Sequence, residues 1–221
     1  MDLSTRRGMP GLAYPEVYLE RLAASLSERF SGVFAAETVE RYVLESYTAL
    51  LRTARVKSHL EVLTTRFATD RLTALAQASG AIPLTVPSVL FVCVQNAGRS
   101  QMAAALTQHL SNGAVQVRSA GSSPGESISP AVVSVMAELG LSLDEAFPKP
   151  LTDDVVQAAD VVVTMGCGDA CAIYPGKRYL DWDLTDPADL PLDEVRAVRD
   201  AIAARVSVLL EELGVAVSGA R

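Results

Sequence analysis

The sequence predicts an α/β protein: a doubly wound, four-stranded parallel sheet with flanking helices, preceded by a small all-α bundle of three helices. Three observations carry this. Up to residue 80 the apolar side chains recur at helical spacing; residues 81–87 hold two prolines and break the pattern; beyond them, short continuous apolar runs alternate with helical segments. Continuous apolar runs read as strands buried on both faces, and their alternation with helices implies parallel pairing through crossovers. The parts implied are a disordered N-terminus over 1–13, the bundle over 14–80, a linker over 81–87 and the α/β domain over 88–221.

In the bundle, Leu19, Leu22, Leu26 and Phe30 share one helical face, and Pro15 suits a helix start. A second stripe begins after Ala35-Ala36 with Val39, Tyr42, Val43, Tyr47, Leu50 and Leu51; a third carries Leu60, Leu63, Phe67, Leu72 and Leu75 and is ended by Gly80 and Pro83. Three such helices form a thin core, so docking or self-association is expected. His59 has no Cys or second His near it and reads as a surface or packing residue. In the second part, strands are expected at Val89–Val92, Val115–Ser119, Val161–Met165 and Arg178–Asp181. Helices are expected over Ser100–Leu110 and Pro130–Leu139, from an N-cap at Thr152 through Ala159, and over Leu192–Leu213, with Val195, Val198, Ile202, Val206 and Leu209 inward.

The 221 residues are 49% apolar and 20% charged, the balance of a folded globular chain. The net charge of −7 is uneven: residues 1–87 hold 10 basic and 9 acidic side chains, and the remainder holds 9 and 17. An acidic second part argues against a nucleic-acid partner. No apolar stretch is long enough to span a membrane, and no apolar run follows Arg6-Arg7 to make a secretory signal. Three cysteines in such a chain point to a reducing compartment and reactive thiols; a cytoplasmic location is expected.

The chemistry centres on Cys93-Val94-Gln95-Asn96-Ala97-Gly98-Arg99-Ser100, between a strand and a helix. A loop this short can curl around one small anion, with the backbone N–H groups of Val94, Gln95, Asn96, Ala97, Gly98 and Arg99 turned inward and the helix dipole behind them. Arg99 supplies a planar fork for a tetrahedral oxyanion, the same field favours Cys93 as the nucleophilic thiolate, and Ser100 can donate to its sulfur. This reads as a covalent-catalysis site for phosphate or an anion of its shape; the competing reading is a buried strand-end cysteine beside a surface arginine. Cys93, Gly121 and Cys167 all fall just beyond expected strand ends, where ligands bind in such folds. In Trp182-Asp183-Leu184-Thr185-Asp186-Pro187, Asp186 can exchange a proton at the leaving oxygen, or the segment is an ordinary Asp-Pro turn.

Together, the Cys-x5-Arg-Ser loop and the late Asp-Pro resemble the low-molecular-weight tyrosine phosphatase fold from about Ser88 to Leu213. That fold hosts phosphatases and thiol-linked arsenate reductases. The stretch from Gly166-Cys167-Gly168-Asp169-Ala170-Cys171 through Tyr174-Pro175-Gly176-Lys177-Arg178-Tyr179 to Trp182 is similar to the bacterial reductases. The resemblance implies that arsenate is attacked by Cys93, that Cys167 then attacks the Cys93 sulfur and expels arsenite, and that Cys171 attacks Cys167 to carry the disulfide to a reductant. The reductant implied is thioredoxin or a low-molecular-weight thiol system.

Alternatives stay open. Cys171 could be a passive core thiol, with Cys93 and Cys167 or an external thiol completing the cycle; the enzyme could be mycothiol-dependent. A tyrosine phosphatase is a further alternative, although Ala188-Asp189-Leu190 follows the Asp-Pro where such enzymes usually carry aromatics. A non-enzymatic oxyanion or redox sensor is a third. Zinc at Cys167 and Cys171 lacks further ligands, since only one more cysteine exists and His109 is far off in sequence. Some members of the resembled family bind potassium through a glutamate on the helix after the loop; here that helix reads Met102-Ala103-Ala104-Ala105-Leu106, so neither metal nor cofactor is expected. The N-terminal bundle is similar to a three-helix dimerisation module fused to some reductases, which implies a possible homodimer.

Overall fold

A computed structural model describes residues 15–53, 59–166 and 172–218. The expected disordered stretch over 1–13 and the two cysteines at 167 and 171 lie outside the described residues. The chain divides into two compact units, 1–82 and 83–221.

The first unit consists of α1 (Pro15–Arg29), α2 (Ala36–Thr53) and α3 (Leu60–Ala78). The expected stripes are its core: Leu19, Leu22, Leu26 and Phe30 meet Val39, Tyr42, Val43, Tyr47 and Leu50, and Leu60, Phe67 and Leu72 close the third side. Leu51, Leu63 and Leu75 are only half-buried. Gly80, at φ +75°, ends α3 by letting the Ala81 and Ile82 N–H groups return to the Ala76 carbonyl. Buried Arg71 donates to Ser46 Oγ (3.3 Å) and Glu45 Oε2 (3.1 Å) and lies over the Tyr42 ring at 4.5 Å. His59 is exposed, just ahead of α3.

The second unit is a four-stranded, all-parallel sheet in the order β2-β1-β3-β4, with β1 Ser88–Cys93, β2 Gln116–Gly121, β3 Val161–Met165 and β4 Arg178–Asp181. Around it run α4 (Arg99–Leu110), α5 (Pro130–Ala137), α6 (Asp153–Gln157) and α7 (Leu192–Glu212). Every residue of β1 is buried, which is why it reads as an unbroken apolar run. Val89, Phe91 and Cys93 join Met102 and Leu106 of α4, Val135 and Met136 of α5 and Ile202, Val206 and Leu209 of α7 in one core; Leu90, Val92 and Val162 are buried as well. Among the described residues no helix is long and apolar enough to cross a membrane.

β1, α4 and α7 differ from the sequence expectation by a single residue at one or both ends, and three other elements differ by more. β2 begins one residue later and runs two further than Val115–Ser119, because it pairs with β1 as far as Cys93↔Gly121. α5 stops at Ala137 rather than Leu139, and Gly140 at φ +73° lets the Leu141 N–H return to Met136. Thr152 stands at the N-cap of α6, which ends at Gln157 rather than Ala159, but its side chain makes no capping bond; the hydroxyl instead donates to Asp154 Oδ2 at 3.1 Å.

The register places Gly121, Cys93 and Met165 side by side at the C-terminal ends of β2, β1 and β3. β1 pairs with its sequence successor on one side and with β3 on the other, so the chain reverses winding direction there. A crevice opens at such a switch point.

Candidate active site

Cys93 ends β1, and the loop 94–98 carries the chain into α4. Neighbouring backbone fixes how the peptides of this loop point. Ser122 N–H donates to Cys93 O (3.1 Å), Ser123 to Val94 O (2.8 Å), Gly125 to Gln95 O (2.8 Å) and Ser129 to Ala97 O (2.9 Å). With four carbonyls held outward and no cis peptide among the described residues, the N–H groups of Val94, Gln95, Asn96 and Gly98 face the opposite way, because C=O and N–H oppose each other across a trans peptide. The Asn96 N–H accordingly donates to Cys93 Sγ at 3.2 Å. These groups and the start of α4 form a nest of donors suited to an anion. β2 must end in glycine here: a Cβ on Gly121 would stand 2.7 Å from Val94 O and 2.9 Å from Asn96 N.

Asn96 is the centre of a buried network. Its backbone is left-handed, φ +49°, which asparagine tolerates better than most residues. Its Oδ1 accepts from the Lys149 N–H (2.8 Å) and from Gln101 Nε2 (3.0 Å), so the amide can be oriented only one way. Nδ2 then donates to Ser100 Oγ at 2.8 Å. Ser100 has one proton; accepting from Asn96, it is left to donate that proton to Cys93 Sγ, 3.0 Å away. Gln101 Nε2 reaches Asn96 O (3.1 Å) and Phe147 O (3.0 Å) as well, tying the loop to a segment far along the chain. Cys93, Asn96 and Ser100 are all at most 2% exposed, so the sulfur is held by donors in a region little screened by water.

Arg99 is buried, and its guanidinium is turned to the loop after β4. Nη1 donates to Leu184 O (3.1 Å) and Nη2 to Asp186 Oδ2 (2.6 Å), while Asp186 Oδ1 accepts from the Ala188 N–H (3.1 Å). Two glycines permit this closure. A Cβ on Gly98 would lie 2.8 Å from Pro187 Cγ, and one on Gly166, at φ +71°, would lie 3.0 Å from Arg99 Nη1. The result is a cavity of about 30 Å³ that Cys93, Gly98 and Arg99 share with Ser129, Asp186 and Pro187. The structure thus brings together Cys93, the 94–98 loop, Arg99, Ser100 and Asp186. Sequence reasoning missed Gln101, Ser129, Leu184 and the carbonyl of Phe147, and it gave Asn96 only the role of a loop member.

An α/β domain with a cysteine-headed, helix-backed loop at a sheet switch point, closed by an Asp-Pro segment, is the class that fold and site define. Residues 88–218 match the family model described as low molecular weight phosphotyrosine protein phosphatase, and the chain belongs to that family. Residues 19–76 match a second model, protein-tyrosine-phosphatase-like, N-terminal domain. A thioredoxin-dependent arsenate reductase of Corynebacterium glutamicum is 48% identical, with a TM-score of 0.81, over 90% of this chain and 97% of that one. A glutaredoxin arsenate reductase of Synechocystis is 30% identical over 57% of this chain and 97% of its own length. A tyrosine phosphatase of Erwinia amylovora is 26% identical, with a TM-score of 0.52, over 58% of this chain and 94% of that one.

Proposed function

We propose that the chain reduces arsenate to arsenite through three thiols. The observation that carries the reading is Cys93 Sγ held by Ser100 Oγ and the Asn96 N–H in a small cavity shared with Arg99 and Asp186. Two donors are aimed at the sulfur, and the inward N–H groups suit a tetrahedral oxyanion. The thiolate attacks arsenic and an oxygen leaves as water, Asp186 being a carboxyl that lines the cavity and can protonate it. Arg99 and the loop N–H groups of Val94, Gln95, Asn96, Ala97 and Gly98 hold the remaining oxygens. Cys167 then attacks Cys93 Sγ: a disulfide forms, the S–As bond breaks and its electron pair stays on arsenic, which leaves as arsenite. Cys171 attacks Cys167 and frees Cys93, leaving a Cys167–Cys171 disulfide for thioredoxin to reduce. The similarity to the Corynebacterium glutamicum reductase across both units supports arsenate and thioredoxin over the alternatives.

A phosphatase reading draws on the family model and on Asp186 in the cavity. The two readings separate in one assay: arsenate-dependent NADPH oxidation with a thioredoxin system, beside hydrolysis of an aryl phosphate. The reductase reading requires the first and its loss in Cys93→Ser and Cys167→Ser; turnover of the aryl phosphate that is indifferent to Cys167 and Cys171 would replace it.

The N-terminal helices serve, in this reading, as a self-association module. Val17, Leu44 and Val62, one on each helix, are large apolar side chains open to solvent. Sedimentation of the full chain, compared with residues 83–221 alone, tests this, and a full chain that sediments as a monomer would end it.

A further inference from the structure

Among the described residues Ile173 is the most exposed large apolar side chain, with 82% of its surface open to solvent. A single exposed aliphatic is ordinary; the way this one is mounted is not. Tyr179 of β4 turns its hydroxyl back on the segment that precedes the strand. The Tyr174 N–H donates to Tyr179 Oη at 2.9 Å, and that hydroxyl donates to Ala172 O at 3.0 Å. The backbone groups on either side of Ile173 are thus tied to one atom of a strand, and Gly176, at φ +79°, turns the chain back towards it. Fixing a residue's backbone costs conformational entropy, and burial of Ile173 returns nothing here. The side chain that this ordered arch presents is left open to solvent. It stands two residues beyond Cys171.

We propose that Ile173 is the docking contact for the protein dithiol that reduces the chain after each turnover; this rests on the three-thiol reading above. A small thiol needs no surface to reach a disulfide, whereas a protein reductant must be seated before its thiolate can attack. The partner that fits carries an exposed nucleophilic cysteine rimmed by apolar side chains, with its second cysteine close by. Its thiolate attacks Cys171, forming a mixed disulfide and releasing Cys167 as thiolate. Its second thiolate then attacks the partner's own sulfur, so that Cys171 leaves as thiolate and the partner leaves as a disulfide. Two electrons pass to the chain. Tyr179 is a positioning residue, acting through Ile173.

The test starts from the full chain oxidised with diamide to the Cys167–Cys171 disulfide, without arsenate. Its reduction by thioredoxin and thioredoxin reductase is followed by NADPH consumption, and its reduction by dithiothreitol, separately, by the formation of oxidised dithiothreitol. Loss of one aliphatic contact predicts a rise of about tenfold in the KM for thioredoxin in Ile173→Ser, and about threefold in Tyr179→Phe. Dithiothreitol rates should stay at the wild-type level in both. An unchanged thioredoxin dependence in Ile173→Ser, equal losses with dithiothreitol, or a chain in which diamide forms no such disulfide would each overturn the proposal. Because the assay omits arsenate, a failure of arsenate-dependent turnover sinks the proposed function and leaves the docking result readable.

Discussion

Arg99 Nη2 lies 2.6 Å from Asp186 Oδ2, so the guanidinium expected to grip the oxyanion is bonded to the carboxylate expected to move its proton. Among the described residues, two of its five N–H donors are engaged, by Asp186 and the Leu184 carbonyl. An incoming oxyanion competes with Asp186 for the same cation. The Asp186 side chain is 55% exposed, so the pair it breaks is a weak one, at most about 1 kcal/mol. Asp186→Asn should therefore bind phosphate, an unreactive stand-in for arsenate, up to about fivefold more tightly, while arsenate turnover falls. Calorimetric phosphate titration beside steady-state rates checks the split; parallel losses in both would assign Asp186 to anchoring Arg99 alone.

The Asn96–Ser100–Cys93 relay makes a second prediction. Ser100→Ala removes one of two donors to the sulfur without opening a large void, since Ser100 is fully buried among partners that remain. A hydrogen bond to a charged group contributes about 1.5–3 kcal/mol, so arsenate turnover should drop by about tenfold or more. Alkylation of Cys93 by iodoacetamide at neutral pH should slow in the same direction. Asn96→Ala should do at least as much, because it frees the Ser100 proton to point elsewhere and removes the Oδ1 that the Lys149 N–H and Gln101 share.

Two glycines at the Cys93 loop predict opposite kinds of defect. At Gly121, where β2 ends paired with Cys93 of β1, an added Cβ meets backbone atoms of Val94 and Asn96 in the loop. Nothing there can give, so Gly121→Ala should lower unfolding stability by about 2 kcal/mol, the usual cost of overpacking. At Gly98 the obstacle is the Pro187 ring on an open loop. Gly98→Ala should push the Asp186-Pro187 segment away and lower turnover with little loss of stability. Thermal unfolding and kinetics, measured on both variants, separate the two.

The local parts of this molecule were legible in the sequence. Val89–Val92 and Val161–Met165 are apolar because both faces of the sheet are covered, and Cys93 through Ser100 is a contiguous cradle. What stayed hidden depends on residues distant in sequence. Nothing near Gln101 announces that its amide will reach Phe147 O, 46 residues on, nor near Asn96 that Lys149 will orient it. Arg71 follows a helical stripe and looks like a solvent-facing charge until Tyr42, Ser46 and Glu45 are folded around it. β2 reaches Gly121 because β1 offers partners that far, and its own residues do not encode that end.

The clip between α5 and α7 predicts how the catalytic unit responds to acid. Glu138, just past α5, accepts from Arg196 Nε (3.0 Å) and Nη2 (2.7 Å) and from Arg199 Nη1 (3.0 Å); Arg199 also donates to Val135 O at 2.8 Å. The Arg196 guanidinium foremost, and Arg199 after it, hold the Glu138 carboxyl below the usual carboxylate range. A carboxyl whose folded value is depressed stabilises the fold above its unfolded value and loses that contribution as pH falls through the folded one. Glu138→Gln should therefore lower the unfolding midpoint near neutral pH, and the gap to wild type should narrow as the pH drops through and below the ordinary glutamate range. Added salt should shrink the gap at neutral pH, because these side chains are open to solvent. Thermal unfolding of wild type and variant across that pH series gives the answer; a gap that stays constant down to strongly acid pH would mean that Glu138 contributes through packing rather than charge.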